Sequence, residues 1–143
     1  MKDFNPQYYE GILQLRNPNK EVIDFIERHI EGKENVFITK KEKVRNGIDF
    51  YITSKKYLQN LGRKLQNCFG GELKISSRLF SRDRQTSKNI YRVNVLFRLP
   101  GFKKGDIIEL KGDKIKVINI GKNVFGKNIK TGKKVSVNFK DLN

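Results

Sequence analysis

The stretch "GIDFYITSKKYLQNLGRKLQNCFGGELK" (residues 47–74) decides the fold, because it contains a strand, a complete helix and the start of a further strand. Its first seven residues are rich in aromatic and β-branched side chains, which is typical of strands. Ser54 then suits the N-cap of a helix, and leucines recur at helical spacing from Leu58 to Leu65. Gly70 marks the end of that helix. The stretch therefore predicts a strand, a helix and a second strand in succession.

The residues before this stretch predict two more strands and one helix. Residues 8–15 have the composition of a strand. Residues 17–32 combine an Asn-Pro-Asn start, an apolar face at helical spacing and a final glycine, which indicates a helix. A strand-like run over residues 35–44 is followed by the Asn46-Gly47 pair, the strongest short-range signal for a β-hairpin.

Residues 76–102 predict two further strands joined by a polar turn, and their alternation assigns each side chain to a face. The apolar set, expected to face the core, comprises Ile75, Leu79, Tyr91, Val93, Val95 and Phe97. The set expected to face water comprises Lys74, Arg78, Arg82, Arg92 and Arg98, with Phe80 and Leu96 among them. The resulting order β-α-β-β-α-β-β over residues 1–99 predicts an antiparallel or mixed sheet with helices on one face.

The pattern changes at Pro100, where the helical period ends and short strand-like runs alternate with glycines. Residues 100–143 predict about four short strands, which fit a small all-β barrel of the SH3-like or OB-like kind. The fold class is therefore α+β, with two small domains at residues 1–99 and 100–143.

The charge of the chain indicates the class of its partner. The 143 residues carry 31 Lys and Arg against 15 Asp and Glu, a net charge of +16. Such an excess favours nucleic acid, an anionic membrane or an acidic protein as partner. The sequence has no signal peptide and no apolar run near the ~20 residues that span a bilayer, so we expect no membrane contact. A single cysteine favours an intracellular, cytoplasmic location.

Catalytic and cofactor motifs are weak. His29 is the only histidine and has no ligand or base partner at a suitable spacing, so we expect it on a helix surface or partly packed. Cys68, one turn after Leu65, is expected to be buried. The string "GKNVFGKN" (residues 121–128) has the spacing of a phosphate-binding loop, but Asn128 replaces the required Ser or Thr. We expect no enzymatic activity and no cofactor.

The basic residues of the second helix and the second hairpin form the candidate binding site. Like charges on one sheet face destabilise it, and a polyanion lying across the face would reverse that effect. The free N–H groups at the start of the second helix would also favour a phosphate beside Lys55 and Lys56. Lys103, Lys111, Lys133 and Lys134 can be explained as solvated charges alone. The candidate RNA-binding residues are Lys55, Lys56, Arg63, Lys64, Lys74, Arg78, Arg82, Arg84, Lys88, Arg92 and Arg98.

The run "GIDFYITSKKYLQNLGRKLQNCFGGELK", followed by "DRQ", "YRVNVLFRLP" and "GD", resembles archaeal members of the nonsense-mediated decay protein three family. This family contains the large ribosomal subunit export adaptor of eukaryotes. The resemblance covers about residues 8–110. It implies an RNA-binding protein of the large subunit, with a domain similar to a ribosomal protein of the eL-twenty-two type followed by one resembling translation factor five-A.

Two departures from the family limit what the resemblance implies. Family members usually begin with cysteine-rich zinc modules that this sequence lacks, and the domain resembling translation factor five-A is incomplete, so the sequence resembles a short or partial member. We interpret the chain as a non-enzymatic protein that binds ribosomal RNA and the large ribosomal subunit, with ribosomal proteins as further partners, in ribosome biogenesis or translation. Two alternatives stay open: a protein-interaction adaptor for acidic partners, and a general duplex-DNA-binding protein.

Overall fold

The computed structural model describes residues 8–82 and 84–142 as two helices, nine strands and a terminal 3₁₀ turn. In chain order these are β1 (Gly11–Arg16), α1 (Lys20–Glu31), β2 (Ile38–Val44), β3 (Gly47–Ile52), α2 (Lys55–Phe69), β4 (Glu72–Arg82), β5 (Asn89–Arg98), β6 (Ile107–Leu110), β7 (Asp113–Ile120), β8 (Val124–Asn128), β9 (Lys134–Val137) and the 3₁₀ turn (Phe139–Leu142). The protein is therefore a mixed α+β structure with two sheets.

The first sheet has five strands in the order β2-β3-β1-β5-β4. It is mixed, because β1 runs parallel to β5 and antiparallel to β3. Alternate residues of the central strands are buried, among them Leu13, Phe50 and Val95. These side chains form one core with the buried faces of α1 and α2. Both helices therefore lie on one face of the sheet and leave the other face open.

Local capping explains where both helices begin and where α2 ends. The side chain of Asn19 accepts a hydrogen bond from the N–H of Val22, and Ser54 does the same for Tyr57. Gly70 then ends α2 with a positive φ of 74°, a conformation that costs little only for glycine. The helix starts and the Asn46-Gly47 hairpin predicted from the sequence are confirmed.

A close approach between α2 and the sheet depends on Gly62. A Cβ atom at this position would lie 2.7 Å from Cγ1 of Val95, well inside contact distance. The missing side chain lets α2 pack directly on β5, and this contact fixes the helix above the half of the sheet that contains β4 and β5.

The second sheet has four antiparallel strands in the order β6-β7-β8-β9. Its inner face contributes Val117, Val124 and Val137 to a separate small core, which Phe139 completes. Within residues 84–142 no ladder joins β6 to β9, so the hydrogen bonds do not close the barrel that the sequence predicted. The four strands have only four to eight residues each and form an open sheet. The 3₁₀ turn covers the inner face of this sheet with Phe139.

The two sheets meet at the end of α2. The N–H of Gly71 donates to the carbonyl of Gly121 at 3.2 Å, and a Cβ atom at Gly70 would collide with the carbonyl oxygen of Ile120. Beside this joint lies a cavity of about 780 Å³ lined by residues such as Phe69 and Phe102. No helix in the described part of the chain is long and apolar enough to cross a membrane.

The prediction that Cys68 is buried is wrong, because its side chain is exposed. The buried stripe of α2 runs through Leu58, Leu61 and Leu65. At the last turn it continues four residues after Leu65, at Phe69, whose ring packs edge-on against Phe25 with centroids 5.3 Å apart. A step of four residues thus replaces the step of three, from Leu65 to Cys68, that the sequence predicted.

Candidate nucleic-acid interface

The open face of the first sheet carries four of the predicted binding residues. Arg78 lies directly opposite Arg92, Lys74 lies opposite Leu96, and Arg98 lies opposite Glu72. The paired positions alternate with Val93, Val95 and Phe97, which are buried beneath the helices. The side chains of these four cations therefore leave the sheet on the side without helices.

Acidic side chains share this open face, so it is less uniformly cationic than the sequence predicted. Arg16 donates to Asp49 at 2.7 Å between two side chains that are mostly buried. Lys40 pairs with Glu42 at 3.1 Å on the neighbouring strand. The positive part of the face is thus confined to β4 and β5, at the opposite edge of the sheet from β2.

Arg98 is also partly neutralised. Its Nη1 atom lies 3.8 Å from Oε1 of Glu72, its cross-strand neighbour. Arg78 and Lys74 differ from it, because no carboxylate of residues 8–82 and 84–142 lies within 4 Å of either. These two side chains are the cations of the open face that are free to meet an anion.

A β-bulge at Phe80 moves Arg82 away from the open face. The register pairs Leu79 with Tyr91 but then Ser81 with Ile90, so Phe80 is the extra residue. Past the bulge, Arg82 lies opposite Asn89 and shares the helix side of the sheet with Tyr91. The prediction that Arg82 and Arg78 share one face is therefore wrong, since strict alternation does not survive an inserted residue.

Arg92 is half-buried and is held by contacts within the protein rather than free. Its guanidinium lies between two rings, 3.8 Å from the centroid of Tyr9 and 3.4 Å from that of Phe80. It also donates from Nε to the carbonyl of Tyr9 at 3.2 Å and from Nη1 to the Tyr9 hydroxyl at 3.0 Å. These contacts line a groove of about 320 Å³ that Arg78 borders.

The predicted cations of α2 lie on the other side of the molecule from Arg78. Lys55, Lys56, Arg63 and Lys64 are all exposed on the helix layer, and α2 has no acidic residue. Because the sheet separates this layer from the open face, the structure does not bring the two groups of cations together.

The predicted phosphate position at the start of α2 is already occupied by the chain. The carboxylate of Glu10 accepts a hydrogen bond from the N–H of Lys55 at 2.9 Å. Ser54 accepts the bond from Tyr57. The free N–H groups on which that part of the prediction depended are therefore partly satisfied from within.

His29 links α1 to α2 through two hydrogen bonds. Its Nε2 atom lies 2.9 Å from Nζ of Lys64, and its Nδ1 atom lies 2.7 Å from the Tyr57 hydroxyl. Because an ammonium group can only donate, Nε2 accepts and the proton of the neutral ring is on Nδ1. Burial lowers the pKa of His29, and the charges of Lys64 and Lys33 lower it further. Burial also raises the pKa of Tyr57 to about 12.

The β4–β5 hairpin extends beyond the helices and is exposed along most of its length. Every residue from Lys74 to Arg82 is exposed, whereas β5 is buried at alternate positions only from Val93 onward. Arg82, Arg84 and Lys88 lie at the outer end of this hairpin, and all three are exposed. The outer end thus presents a cluster of cations that the core does not constrain.

Apolar side chains at the outer end are exposed as well, contrary to the prediction that they face the core. Leu79 is 58% exposed, Tyr91 43% and Ile75 38%, and on the other face Phe80 is 54% exposed. Leu79 and Tyr91 pair with each other beyond Val93, where β5 is no longer buried, and Ile75 lies on the edge strand β4. The sequence did contain one signal of this, because Phe80 stands among arginines at an outward position.

Residues 8–99 match the family model described as NMD3, second domain, and the match covers more than half of the 143 residues. The chain belongs to the NMD3 family. This family is associated with the large ribosomal subunit through its role as an export adaptor. The matched residues contain all of the first sheet, both helices and the hairpin, so the candidate interface lies within the NMD3 domain. A comparison with curated proteins gave no match.

Proposed function

We propose that the chain is a non-enzymatic protein that binds RNA of the large ribosomal subunit through the β4–β5 hairpin. The observation that carries this proposal is the exposure of β4 from Lys74 to Arg82, with cations along it and at its outer end. Arginine suits this role, because its planar guanidinium can contact a phosphate with two N–H groups or stack on a base. Such contacts bind the backbone of RNA without reading its sequence.

Membership of the NMD3 family supports the choice of the large subunit as partner. The charge supports RNA as the component that the hairpin contacts, since the hairpin carries five arginines in addition to Lys74 and Lys88, and all of them except Arg92 lie outside the Tyr9–Phe80 contact. The proposed setting is ribosome biogenesis or translation in the cytoplasm, where both ribosomal RNA and ribosomal proteins are available as contacts.

A three-residue substitution at the hairpin end tests the proposal. We expect Arg82→Gln/Arg84→Gln/Lys88→Gln to lower affinity for large-subunit RNA at least tenfold, because about three phosphate contacts are lost. The matched control is Lys130→Gln/Lys133→Gln/Lys140→Gln, which removes the same charge from exposed positions of the β8–β9 loop and the 3₁₀ turn. Filter binding at one salt concentration compares the variants. Equal losses in both variants would contradict a specific hairpin site.

A protein-interaction adaptor is the second candidate, and the exposed Leu79 and Tyr91 favour it. An apolar patch of this kind is more typical of a protein contact than of a phosphate contact. Nuclease treatment of ribosomal fractions separates the two functions. Digestion should release an RNA-binding protein, whereas an adaptor should stay in its protein complex.

Duplex DNA as the partner is tested by comparing affinities for ribosomal RNA and random duplex DNA at equal salt.

A further inference from the structure

The outer face of the second sheet carries a row of three lysines on adjacent strands. Lys116 of β7 lies directly opposite Lys127 of β8, which in turn lies directly opposite Lys134 of β9. Ile107 of β6 completes the row on the other side of Lys116. The row therefore crosses all four strands at one level of the sheet.

This arrangement is unfavourable for the isolated protein. Adjacent strands are about 4.8 Å apart, so the bases of neighbouring lysine side chains lie close together, and like charges at directly opposed positions destabilise a sheet. All three lysines are exposed. No carboxylate within the described part of the chain lies within 4 Å of their ammonium groups. An anion lying across the strands would relieve the repulsion.

An aromatic ring lies beside this row on the same face. Phe125 is two residues before Lys127 on β8 and is 44% exposed, whereas Val124 and Gly126, its neighbours, are buried. Ser136 faces it from β9, and Asn119 faces it from β7 after a bulge at Ile118. Across the strands the ring is flanked by these two polar side chains, with the exposed Ile118 of the bulge beside Asn119, and it is open to a planar partner.

We propose that this outer face binds single-stranded RNA, with phosphates against Lys116, Lys127 and Lys134 and a base stacked on Phe125. A cationic surface with an exposed aromatic ring is the combination that unpaired bases require. A duplex would use the lysines but not the ring, because its bases are already stacked on one another. An acidic peptide would likewise leave the ring without a planar partner. The site goes beyond the proposed function, since it lies on the other sheet from the hairpin.

Binding of a fluorescent oligouridylate to the full chain tests the lysine row. We expect Lys116→Gln/Lys127→Gln/Lys134→Gln to weaken binding at least tenfold and to reduce the slope of log affinity against log salt by about 2, at ~0.7 per phosphate. The control Lys130→Gln/Lys133→Gln/Lys140→Gln removes equal charge and should lose less than about threefold. The single substitution Lys127→Gln, at the centre of the row, should also weaken oligouridylate binding. It replaces the triple variant as the test if the triple variant folds poorly.

A substitution of the ring tests the stacking contact separately. Phe125→Leu keeps an apolar side chain and should weaken oligouridylate binding about tenfold with an unchanged salt slope. Binding of inorganic polyphosphate, which has no bases, should not change. An oligonucleotide containing 4-thiouridine should crosslink at or next to Phe125.

The outcomes separate this site from the hairpin site. The hairpin variant Arg82→Gln/Arg84→Gln/Lys88→Gln should keep its crosslink at Phe125 even if it loses ribosomal RNA. Equal losses in the row and control variants would overturn the proposal, as would equal affinity for single-stranded and duplex RNA of one length. If the row variant still binds oligouridylate but no longer binds a poly-glutamate peptide, the face would be assigned to an acidic protein instead.

Discussion

The guanidinium of Arg92 shows how a residue that looks like a binding group can be a structural one. Two aromatic rings enclose it, and two hydrogen bonds join it to Tyr9, more than eighty positions earlier in the chain. It therefore attaches the segment before β1 to the hairpin. Arg78, its cross-strand neighbour, has the same charge but none of these contacts.

We expect Arg92→Gln to lower the free energy of unfolding by about 1–2 kcal/mol, because it removes two cation–π contacts and two hydrogen bonds. The matched variant is Arg78→Gln, which should leave stability unchanged and weaken RNA binding. Urea denaturation and RNA titration of both variants provide the comparison. A destabilised Arg78→Gln protein, or an unaffected Arg92→Gln protein, would reverse the assignment.

His29 gives the stability of the protein a dependence on pH. The folded chain lowers its pKa, chiefly through burial, whereas the unfolded chain takes up a proton near the usual value of about 6.5. The unfolded state therefore binds more protons just below that value, and stability should fall as the pH falls through about 6.5. Above that pH the neutral ring makes its full contribution to the free energy of unfolding.

Replacing Lys64 tests the electrostatic part of this effect. Lys64→Gln should raise the pKa of His29 part of the way towards its usual value, since one neighbouring positive charge is removed. His29 is the only histidine, so its ring proton signal in an NMR titration is unambiguous. His29→Gln should abolish the loss of stability between about pH 7.5 and 5.5. A pKa unchanged by Lys64→Gln would leave burial and the charge of Lys33 as the causes.

Among the elements, those defined by neighbouring residues could be predicted from the sequence. Asn19 and Ser54 cap their helices as expected, and Asn46 adopts the positive φ of 65° that its hairpin turn requires. These features depend on interactions within a few residues.

Features that depend on distant residues could not be predicted in this way. The pairing of β1 with β5 and the bond from Lys55 to Glu10 join positions far apart in sequence. The bulge at Phe80 could not be predicted either, because nothing in the local sequence pattern distinguishes it from regular alternation. As a result, the sequence identified the candidate cations but did not show that they lie on two different sides of the sheet.

Shortening the hairpin tests whether its outer end is independent of the core. Replacing residues 80–90 by Asn-Gly would join Leu79 to Tyr91, which already face each other, through a turn of a favoured type. We expect a folded protein with a modest loss of stability, because Phe80 no longer covers Arg92, and a clear loss of large-subunit RNA binding. Circular dichroism and filter binding measure the two effects. RNA affinity that survives the deletion would place the interface elsewhere.

Charge is distributed unevenly over the whole molecule. Helix α1 carries four acidic and two basic residues, whereas α2 carries four basic residues and no acidic one. The segment after residue 98 adds eleven lysines and four acidic residues. The region of α1 is thus the part of the surface least suited to RNA, and a bound RNA should avoid it.

Salt dependence measures the electrostatic contribution of the whole surface. If several phosphates are neutralised, the logarithm of affinity should fall linearly with the logarithm of salt concentration, by about 0.7–0.9 per contact. Titration of large-subunit RNA between low and physiological salt gives the slope. Affinity that does not change with salt would contradict a polyanionic partner.

The contact between Gly70 and Ile120 has a consequence for how tightly the two sheets together could hold one RNA. Because backbone meets backbone there, the joint limits how far the hairpin and the lysine row can separate. When one surface has bound, this joint raises the effective concentration of the other. Gly70→Ala, which forces the joint apart, should therefore leave short oligonucleotides bound as before. It should reduce the avidity for an RNA long enough to reach both surfaces.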